Sequence, residues 1–352
     1  MCISETTGNL LESCQHTGTK TTQPAQFPTV ARRTFLGGLA TIGIASSIAS
    51  QIQAFDEPAD VDSAPAQPAE SLIKELYASL SAEQRSQNVY AYNQKTDGAL
   101  TRHGMYNAPY GGKKIGEQYS KSQQELIDRI LKAMTRDEEG YIKITRGGRF
   151  DGSKNLQGCG ASFFGNATDE NKFCFMFTSH HLTIRCDGNS APGAAFAGPL
   201  YYGHSADGYS TGNVYHYQTQ QVHQFFDALD SKQRKLGLTK GNPGERAQSI
   251  TFRENTANIP GIGVDQLSSD QKELMQAVMQ SVLSPYRQED ANEVMEIIEH
   301  NGGMDKLRLA FYKDSETTDS LRWHFWRIEG PGLVWNYRAL PHVHTFVNIA
   351  KV

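Results

Sequence analysis

Cysteine is scarce: there are five in 352 residues and no C-x-x-C pair. That excludes a zinc ribbon, a thioredoxin-like redox motif and a disulfide-built scaffold. Cys2 and Cys14 lie in a leader segment, which leaves Cys159, Cys174 and Cys186, enough for one internal bridge at most. An excess of one charge is also lacking. Thirty-four basic and 38 acidic residues give a net charge of −4, so no basic face is available for nucleic acid. Long apolar runs are missing too. The uncharged stretch from Phe35 to about Ala49 is roughly 15 residues, too short to cross a bilayer comfortably as a helix. There is no G-x-S-x-G elbow and no H-E-x-x-H. Gly112-Lys113-Lys114 lacks the P-loop spacing, and no third glycine follows Gly158-Cys159-Gly160 or Gly261-Ile262-Gly263. What the chain does have is 16 Phe, 15 Tyr and 32 Gly, a composition of strands and turns rather than of a disordered chain or a helical solenoid.

The front of the chain carries an address. Ala31-Arg32-Arg33-Thr34-Phe35-Leu36 has the form of a twin-arginine export signal, followed by the apolar stretch and by a small residue at Ile52-Gln53-Ala54. The expected organisation is a leader over 1–54 with a long n-region, a Pro/Ala/Asp-rich flexible linker over 55–70, and one domain over 71–352. The expected partners are the twin-arginine export machinery and an unknown small molecule, with no nucleic acid. The expected location is periplasmic or secreted, and the cleaved chain is not an integral membrane protein. The route carries folded proteins, which suits a cofactor inserted before transport.

Four helix starts share one pattern: Ser81–Gln84, Ser120–Gln123, Asp230–Gln233 and Ser268–Gln271. Each is a capping box, with a Leu or Tyr before it as a hydrophobic staple. Ser81 to Asp230 is 149 residues and Ser120 to Ser268 is 148. Ala161-Ser162-Phe163-Phe164 and Leu309-Ala310-Phe311-Tyr312 keep the offset of 148, as do Phe175-x-Phe177 and Trp323-x-Phe325. One box is common by chance; four boxes and two strand-like segments on one offset point to an internal duplication. The expected fold class is α+β, two sequence-related halves at about 71–205 and 215–352. Each would be helices followed by antiparallel strands, packed as one pseudo-two-fold body. Helices are expected near 71–93, 120–137, 215–236, 268–284 and 288–300. Strands are expected near 159–165, 172–186, 306–313, 320–328 and 332–338, with hairpin loops at 166–171 and 314–320.

Ser179-His180-His181-Leu182-Thr183-Ile184, Arg327-Ile328-Glu329-Gly330-Pro331 and Pro341-His342-Val343-His344-Thr345 follow one another in a fixed order. Phe164-Gly165 stands before them and Gly198-Pro199 between the first two. In this ordered set the chain resembles the domain-of-unknown-function family numbered 3500, found in exported bacterial proteins and in fungi, over about residues 71–350. That family usually closes with an Arg shortly after His-x-His, whereas Phe346-Val347-Asn348 follow here. The resemblance implies the extent of the domain and carries no established activity.

The chemistry then rests on histidine. Successive side chains of a strand point to opposite faces, so His180 and His181 face one site together only across a bulge, whereas His342 and His344 share a side. If the halves pair, one of His180/His181 meets His342/His344. The set His181, His342 and His344 would suit Zn, Cu or Fe with one position open. His180, His181 and Glu329 are the candidate catalytic groups, and Glu329 or Asp187 the candidate carboxylates. The plain alternatives stand beside these. Histidines in an aromatic sheet also simply hydrogen-bond carbonyls or carboxylates. Glu329-Gly330-Pro331-Gly332 also fits a bulge or turn, and Arg146, Arg149 and Lys154 a solvated loop. A Cys159–Cys174 bridge across the hairpin is conceivable, whereas Cys174 and Cys186 cannot meet on one strand. The leading expectation is an exported metal-dependent enzyme with a histidine-lined site between two halves. The alternatives are a non-catalytic binder of a metal or small ligand, and a structural protein of the cell envelope.

Overall fold

A computed structural model of the protein describes residues 68–168, 172–245, 247–253, 256–313 and 323–352. The twin-arginine signal, the cleavage point, the linker up to residue 67 and the expected loop at 314–320 lie outside the described residues. The described helices are α1 (Ala69–Ser79), α2 (Ala82–Asn88), α3 (Ile115–Gln118), α4 (Lys121–Ala133), α5 (Glu138–Thr145), α6 (His216–Ala228), α7 (Ser231–Gly237), α8 (Ser269–Leu283) and α9 (Gln288–His300). None is long and apolar enough to cross a membrane. The strands are β1 (Val89–Tyr90), β2 (Lys95–Thr96), β3 (Ala99–Leu100), β4 (Gly160–Gly165), β5 (Phe173–Ser179), β6 (Leu182–Cys186), β7 (Leu200–His204), β8 (Leu238–Lys240), β9 (Ile262–Gly263), β10 (Arg308–Lys313), β11 (Phe325–Gly330), β12 (Leu333–Arg338) and β13 (Val343–Ile349).

This is a mixed helix–sheet fold built on one large, mostly antiparallel sheet. The sheet order is β1-β4-β5-β6-β7-β13-β12-β11-β10-β8, with β9 beside β10, and β2–β3 form a separate ribbon. Among the described residues, only the β1–β4 and β8–β10 pairs are parallel. One face buries Leu182, Leu200, Tyr202, Trp335 and Val347 in the main core, which also takes in Leu72, Ile127, Val222, Phe225, Val278 and Ile297 from the helices. The other face carries smaller clusters, such as Tyr201, Val334 and Phe346 with Ile250. Burial on both faces explains why few strands alternate apolar with polar in the sequence.

All four capping boxes form. Their glutamines also lock together. Gln84 Nε2 donates to Gln123 Oε1 at 2.8 Å and Gln123 Nε2 to Gln84 Oε1 at 3.1 Å. Gln233 and Gln271 do the same at 2.9 and 2.7 Å. Gln123 and Gln271 each reach a backbone carbonyl at the end of the preceding long helix, Ser79 O and Ala228 O. Each pair therefore fastens two helix starts to a third helix end.

Several expected boundaries shift. The helix at 71–93 is two, α1 and α2, broken where Ser81 caps the second; it begins at Ala69, inside the expected linker. The span 215–236 is likewise α6 and α7. The strand at 172–186 is two strands that fold back at His180–His181, and the strand near 320–328 begins at Phe325 and ends at Gly330. Because of that fold-back, β5 pairs with β6 and Cys186 lies opposite Phe175, so the premise that Cys174 and Cys186 share one strand fails. Cys174 lies opposite Phe164, five residues along β4 from Cys159, and all three cysteines are buried free thiols. The central strands β7 and β13 had no expected counterpart.

A double-mutant cycle checks the glutamine lock. Gln84→Ala and Gln123→Ala should each cost about 1–3 kcal/mol, with a coupling energy of about 1 kcal/mol by urea denaturation. Strictly additive losses would mean that the pair does not act as a unit.

Candidate metal centre

The alternating strand directions decide which side chains meet. The β5–β6 turn, the end of β7, the start of β13 and the end of β12 all fall at one end of the sheet. That end therefore carries His180, His181, His204, His342, His344 and Arg338. The β11–β12 turn, Pro331–Gly332, falls at the other end. Glu329 lies opposite Val334, four residues along β12 from Arg338, about 13 Å at strand rise.

His180 and His181 form a two-residue hairpin turn closed by Ser179 and Leu182, with His181 in the left-handed region at φ 57°. All four backbone groups of the turn have partners. Arg146 Nη2 donates to both carbonyls, at 2.9 and 2.8 Å. The His180 N–H donates to Ser153 Oγ at 2.9 Å and the His181 N–H to Asn107 Oδ1 at 2.6 Å. These bonds offset the cost of a left-handed histidine, on the order of 1 kcal/mol. Arg146 is therefore a buried clamp and not the expected solvated residue, whereas Arg149 and Lys154 are exposed. In a turn, the rule of opposite faces lapses: the His180 and His181 rings are 4.0 Å apart, both beside Asp151.

His181, His342 and His344 converge, each offering a ring nitrogen within 4.8 Å of the others. His342 Nε2 and His344 Nε2 are 2.9 Å apart. Asp151 Oδ2 lies 2.7 Å from His181 Nδ1. The Asp151 carboxylate also accepts from the Ser205 N–H and hydroxyl at 3.1 Å. Glu245 holds Arg338 Nη1 at 2.5 Å and lies 3.3 Å from His344 Nδ1, out of line for a hydrogen bond.

Electrostatics fixes the protons. Burial pushes His181 down to about 3, against the pull of Asp151. Burial with the Arg338 charge takes His342 down to about 4 and His344 well below its ordinary value. Burial acts to raise the Asp151 carboxyl, but contacts with His180, His181 and His204 outweigh it and hold Asp151 well below the usual carboxylate range. Near neutral pH the centre is thus an ionised Asp151 with His181, His342 and His344 uncharged. An ionised carboxylate only accepts, so the His181 proton sits on Nδ1 and the lone pair on Nε2. That Nε2 is buried with no hydrogen-bond partner. A carboxylate behind a ring nitrogen, with the other nitrogen bare, is the usual support of a metal-bound imidazole. The residues fit a first-row ion in number and type, with two contacts to break, the Nε2–Nε2 hydrogen bond between His342 and His344 and the contact of Arg338. Arg338 Nη2 lies 3.0 Å from His342 Nε2 and must swing aside, with Glu245 as its counter-charge.

The other expected groups are elsewhere. Glu329 is buried in ion pairs with Arg253 at 2.8 Å and Arg327 at 3.2 Å, at the far end of the sheet from the histidines. Glu329-Gly330-Pro331-Gly332 enters a plain two-residue turn. The Asp187 carboxylate accepts from the Asn189 and Ala191 N–H groups and so stabilises a turn. Asp151, His204, Glu245, Arg338 and Asn107 were not anticipated. The only local signal for Asp151 was the Gly147-Gly148 pair, which marks a loop of unusual backbone; both glycines and Phe150–Asp151 have positive φ.

The fold and site together define a mixed helix–sheet protein with a buried histidine–carboxylate centre at one end of its sheet. The family model described as "Protein of unknown function (DUF3500)" matches residues 62–349, and the chain belongs to this family. No curated protein and no solved structure matches it.

The depressed imidazoles set a pH dependence for the metal-free protein. His181 and His342 titrate near 3 and 4 when folded and near their ordinary 6.5 when unfolded. Between those values the unfolded chain binds protons that the folded chain refuses, so stability falls as pH drops below about 6.5. Asp151 adds loss in the same direction at lower pH. In chelator-treated protein the melting temperature should fall steadily from pH 7 to pH 5, and His342→Gln should flatten the slope. A melting temperature constant over that range would overturn the assignment of neutral buried imidazoles.

Proposed function

We propose that the protein is an exported metalloenzyme whose ion is held by Nε2 of His181, His342 and His344. One observation carries this reading: His181 Nε2 is buried and unpartnered, made a lone-pair donor by Asp151, in a ring that offers a nitrogen within 4.8 Å of those of His342 and His344, whose Nε2 atoms are 2.9 Å apart. Zinc, copper or iron suits three imidazoles, and such an ion supplies Lewis-acid or redox chemistry at an open position. The chain's own groups have distinct tasks. Asp151 holds the Nδ1 proton of His181 and orients its ring. Glu245 balances Arg338. The Gly152 N–H donates to Nδ1 of the partly exposed His180 at 3.1 Å, which leaves its Nε2 as the ring nitrogen placed to exchange a proton with a small molecule. Export by the twin-arginine machinery to the periplasm or beyond belongs to the same reading, supported by Arg32-Arg33 and the apolar stretch behind them.

The reading also takes the chain as a duplicated unit with a pseudo-two-fold between β7 and β13. Support comes from equivalent contacts on the sequence offset. Val89 pairs with Phe163 as Leu238 pairs with Phe311, both in parallel register. Arg85 covers the Tyr77 ring as Arg234 covers Phe226. The active centre then lies beside the seam of the halves.

Metal analysis of the purified full chain should find one tightly held ion at this centre, and His342→Ala/His344→Ala should lose it while remaining folded. Absence of that ion from both proteins after incubation with zinc, copper and iron salts would overturn the reading. In cobalt-loaded protein, azide should shift the visible absorption, which an enzyme's open position requires. An unmoved spectrum would instead favour a non-catalytic metal-binding protein.

A further inference from the structure

Two buried atoms of the centre face each other without a bond. Glu245 Oε1 and His344 Nδ1 are 3.3 Å apart, and neither has a hydrogen-bond partner. The neighbouring contacts give the reason. Arg338 Nη2 lies 3.0 Å from His342 Nε2, and a guanidinium only donates, so His342 Nε2 is an acceptor. The 2.9 Å contact between His342 Nε2 and His344 Nε2 then needs its hydrogen on His344 Nε2. An uncharged His344 carries one ring hydrogen, which leaves its Nδ1 a bare lone pair. Opposite stands Glu245, whose other oxygen is the ion-pair partner of Arg338 Nη1 at 2.5 Å. Acceptor faces acceptor, and no hydrogen bond forms.

The geometry points to Glu245 as a second carboxylate support of the centre, engaged when an ion takes Nε2 of His344. This rests on the three-histidine reading. The ion needs the Nε2 lone pairs of His342 and His344, so the bond between them opens and Arg338 Nη2 leaves His342. The His344 ring gives up its hydrogen at Nε2 and takes one at Nδ1, with no net change in its proton count. The Nδ1–H then has Glu245 Oε1 beside it as acceptor, and both unpartnered atoms are satisfied by a small turn of the ring. His344 so gains the support that Asp151 gives His181 at 2.7 Å. Glu245 is a positioning residue, and it comes from outside the sheet. It belongs to chain that lies over the face carrying Tyr201, Val334 and Phe346, where Ile250 packs against them. Arg327 Nη1 donates to Pro243 O at 3.2 Å, Arg327 Nη2 to Ser249 O, and Asn348 Nδ2 to Ile250 O at 3.0 Å. Loading the centre therefore adds a bond between this covering chain and β13.

The test uses the full chain with isotope-labelled histidine rings, stripped with chelator and then given zinc(II). Ring carbon and nitrogen shifts in nuclear magnetic resonance separate the two tautomers, and His344→Gln assigns the His344 signals. His344 should carry its hydrogen on Nε2 without zinc and on Nδ1 with it, while His181 keeps Nδ1–H throughout. One unchanged tautomer of His344 in both states would overturn the inference. By calorimetry, Glu245→Ala should weaken zinc binding about 10- to 100-fold. Glu245→Gln, whose amide oxygen still accepts, should recover most of that loss. The loss should persist in an Arg338→Met background, where Glu245 has no cation to balance. Equal zinc affinity in wild type and Glu245→Ala, or a loss that vanishes with Arg338→Met, would overturn the role of Glu245 and leave the three-histidine centre standing. Zinc that shifts none of the three rings would instead remove the centre, and this inference with it. If Glu245→Ala unfolds, the tautomers of the wild-type ring decide alone.

Discussion

The pairing of β7 with β13 is the constraint on which the rest depends. It joins two antiparallel runs, β4–β7 and β10–β13, into one sheet. Its register sets Val343 opposite His204 and His344 opposite Gly203. Glycine at 203 has a physical reason: a Cβ there would lie 2.3 Å from Val343 O and 3.1 Å from the His344 ring. The strands can thus close up where His344 packs. A slip of one residue would turn His344 to the helix-covered face and break the centre. The ends of β7 and β13 deliver His204 and His344 to one place, and the β5–β6 turn brings His181 across to them.

Burying so many polar rings is costly unless each has a reason to stay neutral or a partner to share a proton. The structure divides this cost. Asp151 is charged but ringed by donors: His181, Ser205 and their neighbours. Arg338 is charged but compensated by Glu245. The imidazoles between these ion pairs stay uncharged. At this centre four buried atoms have no hydrogen-bond partner, His181 Nε2, His204 Nδ1, His344 Nδ1 and Glu245 Oε1; others, such as the indole nitrogens of Trp326 and Trp335, lie elsewhere. Native structures leave few buried polar atoms without partners, and a group of them at one place is a reason to look for an absent ligand. A merely structural histidine cluster gains nothing from leaving them so.

How much of this was legible depended on the range of each signal. Capping boxes are local, four residues long, and all four stood out in the sequence and form. His342-x-His344 was legible because period two is a local rule. His180-His181 misled for the same reason: the run from Phe173 to Cys186 is rich in aromatic and β-branched residues on both sides of the pair, with no Gly, Asn or Pro to mark a turn at its middle. The turn is imposed by Arg146, Ser153 and Asn107, which lie 27 to 74 residues away in sequence. Asp151 and Glu245 were invisible because a supporting carboxylate has no spacing rule relative to the ring it supports. Glu329 drew attention because the repeat offset sets it near His180-His181. Its explanation is a buried ion pair with Arg327 two residues before it and with Arg253.

The far end of the sheet shows what the histidine end adds. There the β11–β12 turn is Pro331–Gly332, with Gly332 at φ 60°, the same sign as His181 in its own turn. Asn301, just after α9, donates to Pro331 O at 3.0 Å, as Arg146, just after α5, donates to the carbonyls of His180 and His181. Gly302–Gly303 follow Asn301 with positive φ, as Gly147–Gly148 follow Arg146. Under the proposed duplication, both ends inherited a clamp, a glycine pair and a left-handed turn. At the far end glycine takes the left-handed position at no steric cost, which is the solution for a turn with no other duty. At the near end the same position is a histidine, held by four side-chain bonds from three loops. A left-handed histidine is retained against that ready alternative only if its ring is needed where the turn puts it, and the turn puts it against Asp151, His342 and His344.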